Sequence, residues 1–91
     1  MKEFTYVIQD KNGMHARPAG RLATFSTQFS SQIKGECNGK EADGKRLLAL
    51  MSLGATQGAS LRFAISGEDE QKTAEALEIM CRELLGSDEK V

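Results

Sequence analysis

Residues 31–43, SQIKGECNGKEAD, decide the fold. Ile33, Gly35 and Cys37 recur with the period of two expected of a strand with one buried face. Asn38-Gly39 follows, and both residues tolerate the positive φ of a type I′ turn, whose twist suits the strands on either side. KEAD, residues 40–43, must then return antiparallel. A tight hairpin in mid-chain commits the molecule to an antiparallel sheet.

Outward from the hairpin the same logic finds the other elements. EFTYVI (3–8) alternates, sending Phe4, Tyr6 and Ile8 to one face and Thr5 and Val7 to the other. SLRFAIS (60–66) buries Leu61, Phe63 and Ile65 in the same manner. Ala19, Leu22, Ala23 and Phe29 recur at helical spacing with Phe25 beside them, which predicts a helix from Ala16 to about Phe29. KRLLALMSLG (45–54) is too rich in Leu, Ala and Met to favour a strand, and predicts a short helix around Leu47 to Leu53 closed by Gly54. EDEQKTAEALEIMCRELLG (68–86) is amphipathic, with Ala74, Leu77, Met80, Cys81 and Leu84 as its stripe, Asp69 as N-cap and Gly86 as stop.

The order is therefore β-α-β-β-α-β-α. Four strands with one apolar face each need cover on that face alone, and three single-striped helices can supply it. The expected fold is α+β, an open-faced sandwich of a four-stranded antiparallel sheet covered on one side by three helices. Strand order is left open beyond the hairpin pair. Ninety-one residues are too few for two cores, so one domain over 1–91 is expected, with SDEKV (87–91) a frayed, solvated tail.

Composition excludes several functions. Twelve basic against thirteen acidic residues give a net charge of −1, without the cationic surplus that nucleic-acid binding demands. No apolar run approaches the ~18 residues of a membrane span, and MKEFTYVIQD carries acids where a signal peptide would be apolar. A cytoplasmic protein with no nucleic-acid partner and no membrane insertion is expected. Cys37 and Cys81 belong to no metal-ligand spacing and read as small hydrophobes. No cofactor and no metal are implied.

NGMHARPAG (12–20) holds the only histidine and the only proline of the chain. Proline belongs in the first turn of a helix, where its missing N–H would have had no partner. Pro18 thus sets the helix start near Ala16 and leaves His15 at the cap. The open N–H groups of Ala16 and Arg17 and the positive end of the helix dipole then form an anion site beside the imidazole. Arg17 adds a guanidinium able to hold a phosphate or carboxylate through paired bonds. An imidazole set among anion-binding groups is suited to nucleophilic attack on phosphorus. The competing reading is a plain polar helix cap. A hydrolase would need a second acid-base group near His15, and none is visible.

Leu47, Leu48, Leu50, Met51 and Leu53 are too many apolar groups for one side of so short a helix. Leu50 and Leu53 can face the core, leaving Leu47, Leu48 and Met51 outward as a patch suited to protein contact. Burial of all five in a tight corner is the alternative.

GMHARPA (13–19), NGK (38–40), KRLLALMSLGA (45–55) and SGEDEQKTAEAL (66–77) together resemble HPr, the histidine-containing phosphocarrier family of the bacterial phosphoenolpyruvate-dependent sugar phosphotransferase system. The likeness runs over nearly the whole chain, and the family fold is the one read above. The resemblance implies that His15 accepts a phosphoryl group on Nδ1 from phosphorylated enzyme I and passes it to IIA domains of sugar permeases. By the same resemblance Arg17 and the amides of Ala16 and Arg17 bind the phosphate, while Gly20, Leu47, Leu48 and Met51 dock partners. The protein would be a monomeric relay component, not a stand-alone enzyme. An HPr-like regulatory module, acting on a transcription factor or metabolic enzyme, is the alternative.

Two positions depart from the family pattern. Many Gram-positive relatives carry a kinase-targeted serine where this chain has Arg46, which has no hydroxyl. Gly20 stands where a larger residue is common, either admitting a partner more closely or reflecting drift.

Overall fold

The computed structural model describes residues 1–86. Among these, strands run over Lys2–Val7 (β1), Gln32–Cys37 (β2), Lys40–Asp43 (β3) and Ser60–Ser66 (β4). Helices span Ala16–Ser26 (α1), Leu47–Met51 (α2) and Glu70–Leu85 (α3). The expected tail, 87–91, lies outside the described residues.

The strands form one antiparallel sheet in the order β1-β4-β2-β3. Asn38 and Gly39 take φ of 56° and 77°, so the β2–β3 hairpin turns as its residues require. The strand order, open in the sequence, places β4 at the centre. Leu61, Phe63 and Ile65 of β4 are all but inaccessible, whereas edge strand β1 leaves Phe4 and Tyr6 half-buried. Gly35 pairs with Phe63 in the register. A Cβ on Gly35 would stand 3.3 Å from the Phe63 ring and 3.6 Å from Leu50 and Leu53, so this glycine makes space for the largest core side chain.

The helices cover one face. α1 buries Pro18, Ala19, Leu22, Ala23 and Ser26. It ends at Ser26, three residues short of the expected Phe29. Gln28 and Phe29 donate to Phe25 and Ser26 in tighter i→i−3 turns, and the Thr27 hydroxyl bonds the Thr24 carbonyl at 2.7 Å. Phe29 still packs edge-on against Phe25 at 5.4 Å, which is why the apolar spacing outlasts the helix. α2 likewise stops at Met51, and Leu53 is buried from the turn that Gly54 closes at φ 68°.

In α3 the fully buried row is Thr73, Leu77, Cys81 and Leu85, an i, i+4 series. Ala74, Met80 and Leu84 of the expected stripe flank it, half-buried. Thr73 is hidden because its hydroxyl bonds the Asp69 carbonyl at 2.8 Å. Asp69 occupies the cap position but does not cap α3 with its side chain. Its carboxylate instead accepts from the backbone N–H groups of Ser30 and Ser31 at 3.0 Å each, and from the Ser31 hydroxyl, tying α3 to the start of β2. At the same end of α3 the Met1 ammonium pairs with Glu70 at 3.0 Å.

Among the described residues no helix covers the other sheet face, which carries charged side chains. Arg62 of β4 bridges Glu3 of β1 and Glu36 of β2, at 3.1 and 2.5 Å. Among the described residues no helix is long and apolar enough to cross a membrane.

Candidate functional site

The loop between β1 and α1 is pinned from both sides. Gln9 and Asp10 both donate their N–H to the Leu85 carbonyl, at 2.9 and 3.0 Å, so the end of α3 anchors the loop's beginning. The Asp10 carboxylate accepts the Asn12 N–H at 2.7 Å, and Gly13 N–H bonds the Asp10 carbonyl at 3.0 Å. Gly13 takes φ 64°, turning the chain so that the Met14 N–H reaches the Ala55 carbonyl at 2.9 Å. Met14 goes into the core beneath.

His15 emerges from this loop as the N-cap of α1, with extended backbone at φ −87° and ψ −175°. Its N–H donates to Gly13 and its carbonyl accepts the Ala19 N–H at 3.1 Å, the first bond of the helix. The ring is not spent on the cap, since the His15 side chain makes no capping hydrogen bond. The residue is half-buried, its backbone locked and its imidazole uncommitted.

Beyond it, Ala16 and Arg17 are exposed, and their backbone N–H groups have no partner among the described residues. Pro18 has no N–H to offer. The helix therefore presents two open donors at its positive end, next to the ring. Arg17 makes no ion pair among the described residues. His15, Arg17, Asp10, Asn12, Arg21 and Glu83 border one hollow of about 350 Å³. The site is thus an open, mixed-charge depression with its cations and N–H donors on the α1 side.

Leu47, Leu48 and Met51 of α2 are 39%, 76% and 37% exposed, while Leu50 and Leu53 are 0% exposed, so the short helix does divide its apolar groups between core and surface. α2 packs on α1. A Cβ on Gly20 would meet only Leu47 Cδ1, at 3.8 Å, so an alanine methyl would fit there in ordinary contact. Arg46, the N-cap residue of α2, is exposed and gives no side-chain cap.

Sequence reasoning missed Arg21, Glu83, Asp10 and Asn12 as neighbours of the ring. Arg21 carries a local signal, standing four residues after Arg17 on the same helix face. Glu83 carries none, because only the packing of α3 on the rest of the fold brings it to the hollow. Among the described residues no group of three or more His, Cys, Asp or Glu could hold a metal ion.

Residues 2–83 match the family model described as the PTS HPr component phosphorylation site, a span that contains His15. HPr from Thermoanaerobacter tengcongensis superposes with a TM-score of 0.87 at 36% identity, covering 97% of this chain and 99% of that one. The histidine-containing phosphocarrier protein of a Mycoplasma superposes with a TM-score of 0.89 at 28% identity, covering 94% and 100%. Crh, a Bacillus subtilis catabolite repression protein described as a swapped dimer, reaches 0.72 at 30% identity, covering 93% and 98%. Four strands, three helices and a capping histidine thus meet a family match over nine-tenths of the chain, and this chain belongs to the HPr family of phosphotransferase-system phosphocarriers.

Proposed function

We propose that the protein carries phosphoryl groups on His15, accepting each from phosphorylated enzyme I and giving it to the IIA domains of sugar permeases. The observation that carries this reading is the pair of unpartnered N–H groups of Ala16 and Arg17 next to an uncommitted imidazole. The ring nitrogen, Nδ1 by family resemblance, attacks phosphorus while the bond to the donor breaks and its electron pair stays with the donor. The proton lost by the His15 ring goes to that donor. The open amides and the Arg17 guanidinium stabilise the oxygens before and after transfer.

The relay runs in reverse at the IIA domain, so His15 is regenerated by its partners and the protein is a component of a reaction, not an independent catalyst. Leu47, Leu48 and Met51 give both partners a small apolar contact that forms and breaks quickly. The working unit is a monomer held to each partner only transiently.

Incubation with enzyme I and phosphoenolpyruvate should place an acid-labile, base-stable phosphate on the protein. His15→Ala should take none. Absence of label on the parent protein, or equal label on the variant, rejects the proposal.

The likeness to Crh favours a second reading, a regulatory module whose phosphorylation state governs its binding to a transcription factor or metabolic enzyme. Growth of a deletion strain on phosphotransferase sugars separates the two. Impaired uptake supports the carrier; normal uptake supports the module. A serine-kinase route has no target at position 46, where an arginine stands.

A further inference from the structure

Arg17 and Arg21 stand one helical turn apart on α1 and border the same hollow as His15. Like charges four residues apart repel, which costs helix stability unless something anionic lies between them. No carboxylate among the described residues pairs with either guanidinium. Side chains on a helix lean toward its N-terminus, so a residue at position 21 can reach back over the turn of Arg17, and Arg21 lines the hollow that His15 and Arg17 border. The facing walls carry Asp10 and Glu83, whose carboxylates lie along the same hollow without closing an ion pair to Arg17 or Arg21.

We propose that Arg21 is a second phosphate-holding guanidinium, closing with Arg17 around the phosphoryl group on His15. The inference rests on the phosphocarrier reading and extends it. A dianionic phosphoryl group would fill the space between the two cations and relieve their repulsion. Arg17 then holds it from the first turn and Arg21 from the second, with Asp10 and Glu83 opposing both.

The test avoids dependence on enzyme I. Potassium phosphoramidate phosphorylates histidine directly: the ring nitrogen bonds phosphorus, the P–N bond of the reagent breaks, and ammonia leaves with the ring proton. The full-length protein, loaded in this way, is titrated by ³¹P NMR, and the midpoint of the phosphate's second ionisation is compared among variants. The charged groups that line the hollow beside His15 are Asp10, Arg17, Arg21 and Glu83. Loss of a nearby cation disfavours the dianion, so Arg21→Gln should raise the midpoint by roughly half a unit or more. Arg21→Lys, which keeps the charge, should restore most of the difference.

An Arg21→Gln midpoint equal to that of the parent overturns the inference, as does an Arg21→Lys variant that behaves like Arg21→Gln. Failure of phosphoramidate to load His15 overturns both this inference and the carrier reading. Loading by phosphoramidate without transfer from phosphorylated enzyme I rejects the carrier reading alone.

Discussion

Gly13 passes so close to Ala55 that a Cβ on Gly13 would stand 2.5 Å from the Ala55 carbonyl oxygen and 2.9 Å from Thr56 Cα. That same oxygen accepts the Met14 N–H, so the segment ahead of His15 is held against the turn leading into β4 by backbone alone. With φ at 64°, the position also penalises any side chain on conformational grounds. Gly13→Ala should therefore lose roughly 2–4 kcal/mol of stability. Urea denaturation measures this, and an unchanged midpoint would mean the loop is not held as described.

Arg17→Ala should leave stability within about 0.5 kcal/mol of the parent, because the side chain is exposed and makes no ion pair among the described residues. Its phosphotransfer rate should drop about 10- to 100-fold, the range set by losing a charge-assisted contact of about 1.5–3 kcal/mol. Initial rates of label transfer from phosphorylated enzyme I give the comparison.

Leu48, at 76% exposed, is the most accessible apolar residue of α2. Leu48→Asp should weaken association with enzyme I about tenfold or more, while thermal unfolding stays nearly unchanged. Calorimetric titration with unphosphorylated enzyme I separates docking from chemistry. Full affinity in this variant would remove the patch from the partner interface.

The Ser31 hydroxyl above all, with the Ser30 and Ser31 backbone N–H groups, holds the Asp69 carboxyl well below the usual carboxylate range. A value depressed on folding means that the unfolded chain binds the proton more readily. The stabilisation is then complete above about pH 4 and drains away as the pH falls toward the folded-state value. Glu70, lowered chiefly by its bond to the Met1 ammonium, acts in the same direction. Asp69→Asn should melt at lower temperature at pH 7 and show a shallower loss between pH 4 and pH 2, read from thermal midpoints across that interval.

Burial pushes the Cys81 thiol up to about 12, with Glu78 adding to the effect. Burial raises Cys37 as well. Neither should react with iodoacetamide at pH 8 in the folded protein, and both should react in urea. Mass spectrometry distinguishes the two conditions.

How much of this was legible beforehand depends on distance along the chain. The Asn38-Gly39 turn, the inward row Leu61, Phe63 and Ile65, and the Pro18 placement of the α1 start are local patterns, and each appears in the fold as read. The division of α2 into buried Leu50 and Leu53 and exposed Leu47, Leu48 and Met51 followed from simple crowding. Helix ends were less legible, because Phe29 keeps its apolar contact after the backbone has left the helix. Asp69 stands at the N-cap position as read, but its carboxylate does not cap the helix, because Ser30 and Ser31, nearly forty residues away, take it instead. The strand order and Glu83 at the hollow required the folded chain, since neither leaves a periodic or compositional trace.

The ion pair of Met1 with Glu70 puts the amino terminus at one end of α3, and the bonds to the Leu85 carbonyl put the hollow at the other. Sixteen residues of helix separate them by about 24 Å. A fluorophore or affinity handle on the amino end therefore stands clear of the His15 ring, at the far end of α3 from the hollow.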